Sequence, residues 1–209
     1  DQMPDLNLDN PEVRTEFERI VDFWMELGVS GFRMDAAKEY FSGRSSKNIE
    51  VLSWFNSYVK TKDESAYIVA EVWEDSSTYM QYYQSGIDSV FNFDFSQNEG
   101  SIGKTIISSA TKAKQFEEDL LKNQQKINEN TDHGIDASFF TNHDVARAVG
   151  YFAYNEEKIK MAAGMNLMMS GCTFTYYGEE IGLTGSGIDE NKRAPMYWND
   201  SGEGMTKVQ

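Results

Sequence analysis

The order of elements predicts an α/β fold built on a parallel sheet. Three observations carry the prediction. Short apolar runs bounded by turn residues alternate with segments of helical periodicity; the runs read as strands buried on both faces; and five of them occur within 209 residues. Hydrophobic residues form 40% of the chain, enough for a sizeable core.

The first helix follows Pro11, where Val13, Phe17, Ile20, Val21, Trp24 and Leu27 recur at helical spacing. Asn10 is placed to cap it, Pro11 suits its first position and Gly28 stops it. Residues 30–36 (SGFRMDA) read as a buried strand, residues 49–60 return to helical spacing, and residues 66–72 (AYIVAEV) form a second strand ending in an acid. A short helix at 76–84, a strand at 89–95, a long polar helix at 102–128 and a strand at 137–142 follow. A helix at 156–169 and a strand at 173–177 close the series. Helices alternating with buried strands imply right-handed βαβ units.

Two architectures fit this order: a doubly wound open sheet and part of a (β/α)₈ barrel. Neither GxGxxG after a strand nor GxxxxGK[ST] occurs, so the nucleotide signatures of open sheets are missing. Charged or polar groups instead mark the C-terminal ends of three strands: Arg33 and Asp35, then Glu71, then His143 and Asp144. In a barrel those ends meet at one mouth, where barrel enzymes keep their chemistry, and the barrel is therefore the predicted fold. No repeat, low-complexity tract or proline-rich linker marks a boundary, so residues 1–209 read as one unit.

Composition narrows the partners. A net charge of −15 spread along the chain repels phosphates and argues against nucleic acid. No apolar run approaches the ~20 residues of a membrane span, and the N-terminus lacks the features of a signal peptide. A single cysteine, Cys172, excludes an intrachain disulfide and multi-cysteine metal sites; it reads as a core residue. Aromatics at 13% suit stacking on sugar rings as well as an aromatic core.

GFRMDAAK (31–38), EVW (71–73) and TNHD (141–144), each at a strand end, resemble three conserved regions of the α-amylase family, glycoside hydrolase family 13. MPDLN (3–7) ahead of them resembles the extra motif of members intermediate between oligo-1,6-glucosidases and neopullulanases, and APMYW (194–198) lies behind. The resemblance implies that the chain is the C-terminal portion of a catalytic barrel, roughly strands 4 to 8. The N-terminal strands, an inserted domain and a C-terminal β domain are then absent from it. Five parallel strands would leave two open edges, to be covered by the N-terminal half of the barrel or by another chain.

Retaining cleavage of a glycosidic bond needs two carboxyl groups ~5 Å apart, one attacking the anomeric carbon and one protonating the leaving oxygen. Asp35 and Glu71 end consecutive strands, and the resemblance makes Asp35 the nucleophile and Glu71 the acid/base. Arg33, two residues earlier on the same strand face, supplies a permanent positive charge beside Asp35. Glu71 must hold a proton near neutral pH, which requires an apolar wall to which Trp73 is placed to contribute. By the same resemblance Asp144 is the third acid, binding the sugar's 2- and 3-hydroxyls; His143 bonds the same ring, and Arg147 orients sugar or acid. Each charge alone also reads as an ordinary ion pair, solvated acid or helix cap. Tyr176, Tyr177 and Trp198 read as packing residues, and His133 carries no special role.

Ala36 and Lys38 after the nucleophile resemble the α-1,4-acting members, with Lys38 placed to bond a glucose on the leaving-group side. Glu39 stands where the amylase pattern has histidine, which alters the leaving-group subsites because a carboxylate accepts but does not donate. No metal ligand set is expected in this chain; calcium belongs, if anywhere, to the full-length parent. The implied activity is retaining hydrolysis of α-1,4-glucosidic bonds in starch or maltooligosaccharides. Cyclomaltodextrin or pullulan cleavage, glucanotransfer and a non-catalytic carbohydrate-binding subunit are the alternatives, and the chain in isolation is expected to be inactive. Polymer degradation favours an extracellular or cell-surface location over a cytoplasmic one.

Overall fold

Asn10 opens the first helix as its position suggests. Its side-chain oxygen accepts the Glu12 backbone N–H at 2.9 Å, Pro11 takes the first helical position, and α1 runs Pro11–Glu26 before Gly28 turns the chain at φ 92°. This computed structural model describes residues 4–97, 99–108 and 111–202; Met3 of the MPDLN stretch lies outside the described residues. Where the sequence shows no boundary, the structure gathers into two compact units. One comprises residues 1–91 with 122–137, and the other residues 92–121 with 138–209.

In the first unit, β1 (Gly31–Met34), α2 (Ser45–Lys62), β2 (Tyr67–Ala70) and β3 (Ser89–Val90) build a parallel sheet of order β1-β2-β3. Gly31 faces Tyr67 and Met34 faces Ala70, while Ala70 faces Val90. Ile68 and Ala70 are fully buried, as expected of a central strand covered on both faces. Val21, Leu52, Phe55, Val59, Tyr79 and Tyr82 pack in the same core. The helix predicted at 76–84 is one α-helical turn, α3 (Ser76–Tyr79), followed by a 3₁₀ segment, Met80–Ser85. The tighter winding stacks side chains three apart, and the pairs Tyr79/Tyr82 and Met80/Tyr83 are all buried.

The second unit holds α4 (Ser101–Ile107), the first part of α5 (Thr111–Asn130), α6 (Ala148–Tyr151), α7 (Glu156–Leu167), β5 (Cys172–Phe174) and α8 (Asp189–Lys192). β4 (Ala137–Phe139) pairs with β5, with the Ser138 hydroxyl 3.3 Å from Thr173 Oγ1; Cys172 is half-buried at the start of β5. Phe95, Ile102, Phe140, Phe152 and Ala162 form the core, with the Phe140 and Phe152 rings stacked at 5.8 Å. Asn155 caps α7 by accepting the Lys158 N–H at 3.0 Å, and Glu156 and Glu157 favour its positive end.

Other elements also differ from the sequence reading. The helix predicted at 102–128 is α4 and α5, because Ser108 ends α4 by turning its own N–H and hydroxyl back on the Lys104 carbonyl. The strand predicted at 89–95 is short because the chain bends after Phe91 and the Asp94 carbonyl accepts the Ser101 N–H at 2.9 Å, at the start of α4. Among the described residues no helix is long and apolar enough to cross a membrane.

Gly31 is fixed by β1–β2 pairing: a Cβ there would lie 2.0 Å from the Tyr67 carbonyl oxygen, a backbone atom that cannot step aside. Gly31→Ala in the intact protein is therefore expected to cost about 1–3 kcal/mol or more. The loss should appear as a lowered urea midpoint, whereas Gly43→Ala, with open space around its Cβ, should cost only the strain of its positive φ.

Candidate active site

The backbone brings Asp35 and Glu71 to adjacent strand ends. The Glu71 N–H donates to the Met34 carbonyl at 2.9 Å, and the Ala37 N–H donates to the Glu71 carbonyl at 2.8 Å, so the pairing continues past β1 and brackets Asp35. Between these bonds Ala36 takes a left-handed conformation, φ 41° and ψ 45°. That conformation costs a non-glycine residue roughly 1–2 kcal/mol. The turn leaves the Asp35 side chain 74% exposed while that of Glu71 is only 13% exposed.

Arg33 joins the two acids. Its Nη1 donates to Asp35 Oδ1 at 2.8 Å and its Nη2 to Glu71 Oε2. The sequence places this cation beside Asp35; the structure has it serving both carboxylates through the two arms of one planar fork. The two carboxyl groups are thus neighbours on the terminal nitrogens of one guanidinium. That neighbourhood suits a nucleophile and an acid/base acting on one bond.

Tyr40 is a neighbour that the motifs do not single out. Half-buried against the first core, its hydroxyl is pushed well above the ordinary phenol range, first by burial and then by the negative charge of Asp35, with Arg33 opposing. Lys38 donates to Glu74 Oε1 at 2.7 Å, and that bond holds its ammonium above its usual value. Glu39 accepts from the Ser42 hydroxyl at 2.7 Å. Trp73 lies between Glu71 and Glu74 in sequence and is 44% exposed.

The second unit builds its own constellation after β4. Asn142 Oδ1 accepts the Asp144 N–H at 2.9 Å, a local turn that fixes the backbone of the third acid. Asp144 Oδ2 lies 3.2 Å from His143 Nε2, and its Oδ1 accepts from Arg193 Nη2 at 2.8 Å. Arg193, just before the APMYW segment, is a residue that the sequence reading missed; its only signal was a cation beside that motif.

Arg147 is a correction. Expected to orient sugar or acid, it is fully buried, donates to the carbonyls of Tyr177 (2.6 Å) and Lys192 (3.2 Å), and lies 4.2 Å from the Tyr176 ring centroid. Spacing along the chain put it after the third acid, but its long stem carries the guanidinium inward. Tyr176 and Tyr177 do pack against it, whereas Trp198, expected to pack, is 69% exposed.

Among the described residues no group of three or more His, Cys, Asp or Glu side chains is placed to hold a metal ion. The Glu39 carboxylate is turned to Ser42 and Lys38.

Glu179 is a further acid outside the motifs. It lines an apolar recess with Phe140, Val149, Ile159 and Leu183 and accepts from the Thr141 hydroxyl. Burial raises its carboxyl above the ordinary glutamate range, Glu180 adds to the rise, and Thr141 and Arg147 oppose it.

A family model described as the alpha amylase catalytic domain matches residues 1–208. Alpha-amylase 3 of Dictyoglomus thermophilum is 40% identical over 200 residues, 95% of this chain and 38% of that protein. Neopullulanase 2 of Thermoactinomyces vulgaris is 30% identical over 95% of this chain and 32% of its own length. The solved structure of Eubacterium rectale Amy13B superposes with a TM-score of 0.91 at 40% identity, covering 100% of this chain and 43% of that one. The chain thus spans less than half the length of these relatives and carries part of their (β/α)₈ barrel.

The raised carboxyl of Glu179 has a definite pH signature. A group whose folded pKa lies above its unfolded value of 4.5 stabilises fully below that value and loses the contribution as pH rises through the folded pKa. Glu179→Gln is therefore expected to raise the melting temperature of the intact protein at pH 8. The gain should shrink toward nothing by pH 4 in a calorimetric series.

Proposed function

Because the chain belongs to the α-amylase family of glycoside hydrolases, we propose that the protein carrying it hydrolyses α-1,4-glucosidic bonds in starch or maltooligosaccharides with retention of configuration. The sharing of Arg33 between Asp35 and Glu71 carries the reading. A structural ion pair needs one acid for one base, whereas two carboxyls gathered at adjacent strand ends suit double displacement. Asp35, the exposed member, attacks the anomeric carbon as the leaving oxygen takes a proton from Glu71. Glu71 then removes a proton from water, and the hydroxide displaces Asp35 to release the sugar. Protonated on Oε1, Glu71 still accepts from Arg33 through Oε2, so cation and proton do not compete for one oxygen.

Asp144 and His143 supply the binding of the ring hydroxyls, strengthening as the ring flattens toward the oxocarbenium-like transition state. Lys38 borders the leaving-group side, and Trp73 contributes to the apolar wall beside Glu71. Retention of all three acids disfavours a non-catalytic carbohydrate-binding subunit. Since the chain spans 38% of one relative and 43% of another, activity is assigned to the intact protein and not to this portion. Polymer breakdown places that protein outside the cell or on its surface.

One observation favours a second reading. Glu39 replaces the amylase histidine on the leaving-group side, where hydrolysis and transfer to a sugar acceptor part ways, and cyclomaltodextrin cleavage, pullulan cleavage or glucan transfer use the same acids.

Turnover of a blocked maltoheptaoside by the intact protein tests the assignment. Asp35→Asn and Glu71→Gln should each lower kcat by roughly 10²–10⁴-fold or more, with wild type releasing the α anomer first. Undiminished turnover in both variants sinks the roles. Product profiles on maltoheptaose, cyclodextrin and pullulan separate hydrolysis from the second reading.

A further inference from the structure

The cations around Asp144 come from one short stretch. Lys192 ends α8; its Nζ donates to the Asp144 carbonyl at 2.9 Å and pairs with Asp189 Oδ1 at 2.8 Å. Arg193 follows, donating from Nε to the His143 carbonyl at 3.2 Å and from Nη2 to Asp144 Oδ1 at 2.8 Å, with Asp189 Oδ2 3.2 Å from the same nitrogen. The backbone is thus gripped on both sides of Asp144. Its carboxylate is held at Oδ1 by a guanidinium and flanked at Oδ2 by His143, which restrains the side-chain torsions.

The stretch itself is anchored from inside the unit. Buried Arg147 donates to the Lys192 carbonyl, which also accepts the Tyr176 hydroxyl at 3.1 Å, and the Tyr177 hydroxyl donates to the Ala194 carbonyl at 2.6 Å. The Arg147 N–H donates to the Gly185 carbonyl at 2.9 Å, and a Cβ on Gly185 would meet the Asn191 carbonyl oxygen at 2.1 Å. Residues 176–194 are therefore fastened to the segment that follows Asp144 at several points.

We infer that Arg193 is a positioning residue that fixes the carboxylate of Asp144, with buried Arg147 anchoring the segment that delivers it. The functional half of this inference rests on the proposed role of Asp144 in binding ring hydroxyls. Arg193 is 45% exposed, so its ion pair adds little to folding stability; its effect lies in orientation. A carboxylate already aligned before sugar arrives gives up no further side-chain freedom on binding, and it presents its lone pairs where the flattening ring needs them.

Wild type, Arg193→Gln and Arg193→Lys of the intact protein provide the test through crystal structures, melting temperatures and kinetics on the blocked maltoheptaoside. Arg193→Gln should melt within a few degrees of wild type and show the Asp144 carboxylate displaced. Its kcat should fall on the order of 10- to 100-fold. KM should change by less than about threefold. Arg193→Lys, which keeps the charge without the fork, should restore part of kcat. An unmoved Asp144 in Arg193→Gln overturns the positioning claim whatever the activity, as does a loss confined to KM. If wild type cleaves no glucan while the carboxylate still moves, positioning stands and the glucan reading falls.

Discussion

Parallel pairing of β1 with β2 is the constraint on which the first constellation depends. The ladder runs from Gly31 opposite Tyr67 to Met34 opposite Ala70, then continues through the Glu71 N–H and carbonyl into the turn after Asp35. Both faces of a parallel sheet are covered, so its strands tolerate charge only near their ends. A slip of one residue would send the Arg33 fork and the Asp35 side chain to the opposite face. Gly31 permits the close approach, and Ala36 absorbs the sharp turn in a left-handed conformation. That strain is held in place by the two flanking hydrogen bonds.

The second unit fixes its acid by other means. Asp144 sits past β4, where among the described residues no backbone ladder brackets it as β2 brackets Asp35, and side chains do the holding instead. Asn142 orients the backbone, while Lys192 and Arg193 grip it from a distant part of the chain. Ladder hydrogen bonds cost no side-chain entropy, whereas each of these cations gives up rotamer freedom to reach its partner. The buried Arg147 offsets part of that cost by holding the carbonyl of Lys192 in advance.

The acids were legible in the sequence because a charge at the end of an apolar run breaks a simple pattern. Strand existence was legible for the same reason, although the run at 89–95 yielded only Ser89–Val90 because the chain turns the Asp94 carbonyl toward the Ser101 N–H at the start of α4. What the sequence concealed depended on long-range reach. Arg193 lies 49 positions from Asp144, and nothing local announces the contact. Arg147 misled because spacing gives the place of a Cα and not the direction of a long side chain. Tyr40 escaped notice because an aromatic next to Phe41 reads as core, which half of it is.

The acidic composition takes on a clearer meaning from these contacts. With 34 acids and 19 lysines and arginines, bases are scarce, and those beside the proposed catalytic groups are committed to carboxylates or carbonyls: Arg33, Lys38, Lys192 and Arg193. A site for a phosphate or carboxylate ligand would keep such cations aimed at the ligand. Here they hold the protein's own acids in place, among them the Asp35 carboxylate. An anionic ligand gains little from bases already paired and is repelled by that carboxylate. On the proposed glucan reading, a neutral polyhydroxyl chain brings hydroxyl donors to such acceptors and loses nothing to repulsion.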